Sequence, residues 1–427
     1  MKIKTRTKNN LRNIDQMKKN YLWNTFAGVI NAAEAVILSV IVTRVTGLID
    51  AGILTIAFSV GNLLVCIGKF GVYNYQVTDI KEKFSFWDYF LFRIITTVFM
   101  ALAVIAYCEN GFRCQGYNKH KVLCVMMICL IYAVESIEDV FSAYYQICGR
   151  LDLGCKAFCL RWGSIFLSFF IGIVITGDMA ISLVVSLLIS VLVFLGFTGI
   201  VFPKIYRRKN SQISIPKLRR IFDECFPLFL ISFLSFYVLN APKYAIDTVL
   251  DDSIQACYGF VAMPVFVIGL LNSFIYHPKL VFMAKEWECN KKALKKCILR
   301  QILILILISV CCFIGAALIG NTVLSWLYNT DLSSYIFELL ILQIAGGFLG
   351  IAGYLSVVLT IMRYQRDLIW GYMIIAIISF SSFKKTVICY GIKGVAIEFT
   401  MLMALLCIIY TIILIYRWKN SSKCIET

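Results

Sequence analysis

Along this chain apolar and polar residues do not alternate; apolar residues run in blocks, and polar residues collect in short gaps between them. The blocks are about 20 residues or longer, the length at which a helix crosses a hydrocarbon layer of roughly 30 Å. A closed barrel would show alternating segments of about 10 residues instead, and the sequence has none. The pattern predicts spans at about 21–45, 50–73, 88–108, 121–144, 155–176 and 180–202. A second set follows at about 221–246, 254–276, 298–320, 334–360, 368–388 and 394–416. The expected fold is an all-α integral membrane protein of about twelve transmembrane helices.

The gaps set the organisation. Residues 1–20 form a basic N-terminal segment without the apolar stretch and small-residue cleavage site of a secretory signal, so the first block is expected to remain as a span. Residues 21–203 hold six spans, and 221–416 hold six more. Between them, 204–220 is a basic linker within the longest hydrophilic stretch, FPKIYRRKNSQISIPKLRR, and 417–427 is a tail. The halves also share a short gapless similarity. TGLIDAGILTIAF from Thr46 aligns with TVLDDSIQACYGF from Thr248, matching Thr46/Thr248, Leu48/Leu250, Asp50/Asp252 and Phe58/Phe260. A parallel duplication of six spans places a substrate path between two pseudo-symmetric lobes.

Composition agrees with the pattern. Hydrophobic residues make up 60% of the 427 and charged residues 15%, against roughly 25% charged in globular chains. A net charge of +17 would suit nucleic acid, but its distribution excludes that partner. Most Lys and Arg, including Arg207, Arg208, Lys209, Lys291, Lys292, Lys295 and Lys296, fall on alternate gaps. That asymmetry places both termini in the cytoplasm. The 17 Cys sit mostly in apolar blocks without CxxC spacing and are read as small hydrophobes. Cys108 and Cys114 flank an external gap and form a candidate pair. The two His are His120 and His277.

Ionisable residues inside spans cost roughly 2.5–3.5 kcal/mol on insertion scales, so each is a candidate functional group. Glu34 lies near the middle of span one, in a stripe with Asn24 and Asn31. Asn240, Lys243 and Asp247 share a face of span seven, and Glu135, Glu138 and Asp139 cluster in span four. Of these, Glu138 and Asp139 are expected to meet basic groups such as Arg150. Lys69 and Arg93 lie near inner ends of their spans, where long side chains can snorkel to headgroups. Arg44 lies toward the outer end of span one. Pro227, Pro242 and Pro264 fall within spans seven and eight, where proline removes a helix hydrogen bond and introduces a kink. These kinks are candidate gates.

Catalytic motifs do not emerge. GNLLVCIGKF at 61–70 has the wrong spacing for a phosphate loop and lies inside a span. The sequence lacks HExxH, paired-cysteine metal spacing and GxSxG, so neither an enzyme nor a cofactor is expected.

The opening NYLWNTFAGVINAAEAVILSVIVTRVTGLIDAGILTIAFSVGNLLVCIGKFGVYNYQ resembles the polysaccharide-transport proteins of the multidrug/oligosaccharidyl-lipid/polysaccharide (MOP) exporter superfamily. The Arg44–Gly52 segment, the IGKFGVYNYQVTD run, Gly149–Arg150 and NAPKYAID at Asn240–Asp247 carry the similarity. The resemblance implies two six-helix lobes in a V, opening alternately to each side. It also implies a flippase for lipid-diphosphate-linked oligosaccharides, the repeat units of O-antigen (lipopolysaccharide), capsule or other surface polysaccharide, in a bacterial plasma membrane. Under it, Arg44, Lys69, Arg93, Lys243, Asn31 and Asn240 are substrate-binding candidates. Glu34, Glu135 and Asp247 are candidates for proton coupling or cavity acids. Membrane lipids, a polysaccharide polymerase and export machinery are the implied partners. The rival readings are a cation-coupled drug or metabolite exporter on the same fold, a repeat-unit polymerase, and a non-transporting scaffold.

Overall fold

The computed structural model describes residues 2–79, 83–206, 214–276 and 279–423, and every regular element among them is helical. His277, Pro278, Arg207, Arg208 and Lys209 lie outside the described residues. The first seven helices are α1 (Lys2–Val45), α2 (Leu48–Lys69), α3 (Val72–Thr78), α4 (Phe86–Cys114), α5 (Lys119–Ile147), α6 (Leu151–Thr176) and α7 (Met179–Ile205). Then follow α8 (Ile215–Asp247), α9 (Asp252–Ala262), α10 (Val265–Tyr276), α11 (Leu280–Cys289) and α12 (Lys291–Gly315). A π-helical turn, Ala316–Gly320, joins α12 to α13 (Asn321–Tyr328), and α14 (Ile336–Ile361) and α15 (Asp367–Lys423) complete the chain.

Ten helical stretches among the described residues are long and apolar enough to cross a membrane. One of them, Asp367–Asn420, is interrupted at Gly391, whose φ of 60° and ψ of −149° lie outside the helical region. Its two halves pack as a hairpin, joined by Arg417 with Asp367, Tyr372 with Tyr410 and Ser382 with Glu398, so this stretch supplies two crossings. The 29-residue α5 is not among the ten but is long enough to span, and it brings the crossings among the described residues to twelve. The fold is therefore an all-α, multi-span membrane fold.

Local chemistry explains the punctuation. Ser85 begins α4 with a reciprocal box, its hydroxyl accepting from the Asp88 amide while the Asp88 carboxylate accepts from the Ser85 amide. Asp178 caps α7 by accepting from the amides of Ala180 and Ile181. After α2 the chain turns through Phe70 (φ 43°) and Gly71 (φ 69°), a left-handed pair that ends the helix.

Contacts divide the chain into two compact units, Met1–Phe233 and Leu234–Thr427. The boundary falls inside α8 and not in the 204–220 segment. The first half of α8 belongs to the first unit because Phe222, Phe226 and Phe229 close around Phe70, with Phe70 and Phe229 stacked at 4.5 Å. In this unit α2 is the central element, with 83% of its apolar stretch buried. It approaches α5 closely at Gly61, where an added β-carbon would stand 2.6 Å from the Tyr132 ring.

In the second unit α14 packs on α10 through Gly346, where an added β-carbon would meet the Val265 carbonyl at 2.8 Å. Prolines act unequally. Pro227 and Pro242 lie within the continuous helix α8. Pro264 separates α9 from α10, and the local bonds tighten there, Phe266 N to Met263 O and Val267 N to Pro264 O. Of the three candidate kinks, the structure breaks the helix at Pro264 alone. Val45 and Asp247, the last residues of α1 and α8, occupy equivalent positions in the alignment of the two halves.

Candidate functional site: a charged core in the first unit and an unpaired lysine in the second

In the first unit, α2, α4, α5 and α6 bring charged side chains together inside the helix packing. Lys69, in the last turn of α2, places Nζ 2.8 Å from Glu135 Oε1. The other oxygen of Glu135 accepts from Arg161 Nη2 at 2.9 Å and from Trp162 Nε1 at 3.1 Å, both on α6. Arg161 also donates through Nε to Glu138 Oε2 at 2.7 Å. On α4, Arg93 pairs with Asp139 at 2.7 Å and donates to the Gly68 carbonyl at 2.8 Å.

These contacts alter the expected placements. Arg93 is completely buried and engaged by the protein's own groups, so it neither snorkels to headgroups nor faces an open cavity in this conformation. Lys69 does not snorkel either. It retains 35% exposure while bound to Glu135, making it the most accessible cation of the cluster. Glu138 and Asp139 do not meet Arg150, which instead pairs with Asp152 at 3.0 Å near the α5–α6 turn. Their partners are Arg161 and Arg93.

Arg161 is not among the charges that the sequence pattern singles out. Its signal is an arginine in the apolar run that opens α6, at a level matched to Glu138. The two residues stand almost equally far from Gly149 on either side of the α5–α6 turn. A hairpin of antiparallel helices then sets them side by side.

Glu34 forms no ion pair among the described residues. Tyr132 donates its hydroxyl to Glu34 Oε1 at 2.5 Å, while Oε2 is buried without a partner among the described residues. The cluster thus holds three cations, Lys69, Arg93 and Arg161, against four carboxylates, Glu34, Glu135, Glu138 and Asp139. Glu34 is the carboxylate with no ion pair. Its expected stripe mates diverge, since Asn24 and Asn31 are exposed while Glu34 is buried. Arg44 is exposed in the last turn of α1.

In the second unit, α8 carries Asn240, Lys243 and Asp247 at the spacing expected of one face. Asn240 is buried and donates to the Phe236 carbonyl of its own helix at 3.0 Å, and Asp247 is also buried. Lys243 is half-buried, and among the described residues no hydrogen bond or ion pair reaches its ammonium. Tyr237 and Tyr244, seven residues apart on the same helix, stack with ring centroids 6.1 Å apart.

Cys108 and Cys114 are free thiols. Both lie on α4, and six residues of helix separate them by about 9 Å along the axis, beyond the reach of a disulfide. Among the described residues no group of three His, Cys, Asp or Glu is placed to hold a metal ion.

No family model matches the sequence, and no curated protein matches it. Solved structures do match over nearly the whole chain. An inward-facing multidrug resistance MATE family transporter of the MOP superfamily superposes with a TM-score of 0.70 at 13% identity, over 94% of this chain and 96% of that one. The lipid II flippase MurJ, in an inward closed conformation, gives 0.68 at 12% identity over 92% and 87%. A eukaryotic MATE transporter, AtDTX14, gives 0.63 at 12% identity over 94% and 96%. The chain shares the fold of these MATE transporters and of MurJ.

Proposed function

We propose that this protein is an alternating-access transporter that moves a lipid-diphosphate-linked oligosaccharide across a bacterial plasma membrane, with both termini in the cytoplasm. The substrate class proposed is the repeat unit of a surface polysaccharide, such as O-antigen or capsule, handed on to a polymerase and export machinery. The fold shared with MATE transporters and MurJ supports transport, and the opening sequence supports a sugar-lipid cargo.

One observation carries the choice of an anionic cargo. Lys69, Arg93 and Arg161 are each neutralised inside the first unit. Lys243 has no such partner among the described residues, although it lies within a membrane-spanning helix. A cation held there without a counter-ion is expensive, and a phosphate group supplies the missing charge during the transport cycle. Lys69 is the second candidate contact, since its side chain is partly exposed and an incoming phosphate competes with Glu135 for its ammonium. Arg44, Asn31 and Asn240 remain substrate-binding candidates of lower rank, Asn240 because its amide is spent on its own helix. Arg93 is assigned to holding α4 against α5.

Glu34 is proposed as the residue that takes up and releases a proton. It is the unpaired carboxylate of the cluster, and protonation removes its charge without breaking an ion pair. Glu135 and Asp247 are secondary acids. The same feature favours the rival reading, a cation-coupled exporter of drugs or metabolites, because a carboxylate with a free oxygen also serves a cationic cargo.

Reconstitution separates the two. Proteoliposomes carrying a fluorescent polyprenyl-diphosphate oligosaccharide on one leaflet would be followed for its appearance on the other. Wild-type translocation that falls at least about tenfold in Lys243→Ala and recovers in Lys243→Arg supports the anionic cargo. Absence of lipid-sugar movement, with gradient-driven export of organic cations, replaces it with the exporter reading.

A further inference from the structure

The helix that begins the fifth pair of crossings is unusually bare. In Lys291–Tyr328 only 6% of the most apolar stretch is buried, against 28% or more in each of the other membrane-length stretches among the described residues. Its first turns carry Lys292, Lys295, Lys296 and Arg300, which with Leu299 and Leu303 line one open concavity along α12. No acid pairs with these four cations among the described residues. Other basic groups near helix ends do have partners, Lys156 and Arg150 with Asp152 and Arg417 with Asp367. A general excess of inward positive charge explains why these residues lie at this end of the helix. It does not explain four unpaired cations on one face, continued by exposed Leu299, Leu303 and Leu307.

The geometry points to a retained anionic phospholipid on this face, its headgroup held by Lys292, Lys295, Lys296 and Arg300 and an acyl chain along the leucine stripe. Spacing supports the assignment, because the steps 292, 295, 296, 299, 300 and 303 stay on one side of a helix. The pattern from cationic to apolar along the axis matches that of a lipid, with the polar head at the membrane surface and the chain toward its centre. Cation–π packing of Lys291 on Trp287, which itself contacts Trp418, anchors the same end of the helix at the interface. Charge also argues against a second copy of the chain as occupant. Copies inserted in the same orientation meet at equal depth, which would bring two clusters of four unpaired cations together. The inference does not depend on the transported cargo.

Native mass spectrometry of the full-length protein in detergent tests it, with dioleoyl phosphatidylglycerol and dioleoyl phosphatidylcholine titrated separately. Wild type is expected to retain several-fold more phosphatidylglycerol. The combined variant Lys292→Gln, Lys295→Gln, Lys296→Gln and Arg300→Gln should lose that preference. A control with equal charge loss elsewhere, Lys18→Gln, Lys19→Gln, Arg219→Gln and Arg220→Gln, should keep it. If the combined variant does not fold, Lys292→Gln and Arg300→Gln taken singly should each lower retention about twofold, while Lys292→Arg leaves it unchanged. Equal retention of the two lipids by wild type, or equal loss of preference in the control, overturns the proposal. So does a dimer that lacks bound phosphatidylglycerol and is abolished by Leu303→Trp.

Discussion

Tyr132 ties α5 to α1 by donating its hydroxyl to Glu34 at 2.5 Å, and its ring occupies the space left by the missing side chain of Gly61. Gly61 therefore acts on Glu34 at one remove. A β-carbon at position 61 would stand 2.6 Å from the ring, and the ring has little room to yield because both ends of the contact are buried.

Gly61→Ala is expected to displace Tyr132 and so to perturb Glu34 without touching it. Tyr132→Phe keeps the ring and removes only the hydrogen bond, leaving Glu34 without a partner on either oxygen. That loss should lower stability by about 1–3 kcal/mol, the usual penalty for a buried polar group left unsatisfied. Thermal melts of detergent-solubilised protein should show Gly61→Ala destabilised at least as much as Tyr132→Phe. Equal stability of Gly61→Ala and wild type would mean that α2 and α5 separate easily at this point.

The buried pairs predict a graded series. Arg161→Met leaves Glu135 and Glu138 short of a cation each contacts, and breaking a buried pair from one side typically costs about 3–5 kcal/mol. Adding Glu138→Gln to Arg161→Met should recover part of that loss, because the orphaned charge disappears with its partner. Lys69→Gln should cost less than Arg161→Met, since the Lys69 side chain is one-third exposed whereas that of Arg161 is completely buried. The order is measured by melting temperature in one detergent at one ionic strength. A Lys69→Gln variant less stable than Arg161→Met would contradict it.

How much of this was legible in sequence depends on the kind of signal. Span positions rest on runs of apolar residues, a local property, and most helices lie within a few residues of the expected blocks, although α1 runs back to Lys2 through the basic N-terminal segment and α12 runs back to Lys291. The partners of the charges rest on which helices pack, and that information is not local. Glu138 and Asp139 were matched to Arg150 because it was near in sequence, yet the α5–α6 hairpin carries Arg161 to Glu138. Arg93 looked like a snorkelling residue by depth alone, and only the packing of α4 on α5 reveals Asp139 as its partner. The unit boundary was sought in the polar segment before α8, where composition changes. It falls instead within an unbroken helix, because the ring of Phe70 draws Phe222, Phe226 and Phe229 to the first unit. Proline likewise marks a place where a helix can break, and surrounding packing decides whether it does.

The cysteines give a direct chemical check on α4. Cys114 is exposed and Cys108 buried, and neither is oxidised. Treatment of the native protein with a maleimide followed by peptide mass spectrometry should label Cys114 rapidly and Cys108 only after denaturation. Cys114→Ser should leave the unfolding free energy within about 0.5 kcal/mol of wild type, as expected for a surface change that removes no contact. A crosslinked peptide joining the two cysteines would require α4 to unwind between them.

Lys243 provides the sharpest separation of stability from function. A side chain held for structure loses stability when it is removed, whereas an uncompensated charge kept for a cargo burdens the resting protein. Lys243→Met keeps a long apolar stem and discards the ammonium, so the variant should melt at a higher temperature than wild type. The gain should be a fraction of the roughly 2.5–3.5 kcal/mol assigned to a charge at mid-membrane, because Lys243 lies only one turn from the end of α8. The same variant should lose translocation of the diphosphate lipid in proteoliposomes. Arg93→Met offers the contrast, losing stability because Asp139 is left unpaired. If Lys243→Met instead melted lower while transporting normally, the lysine would be a structural anchor, and the anionic site would have to be sought at Lys69.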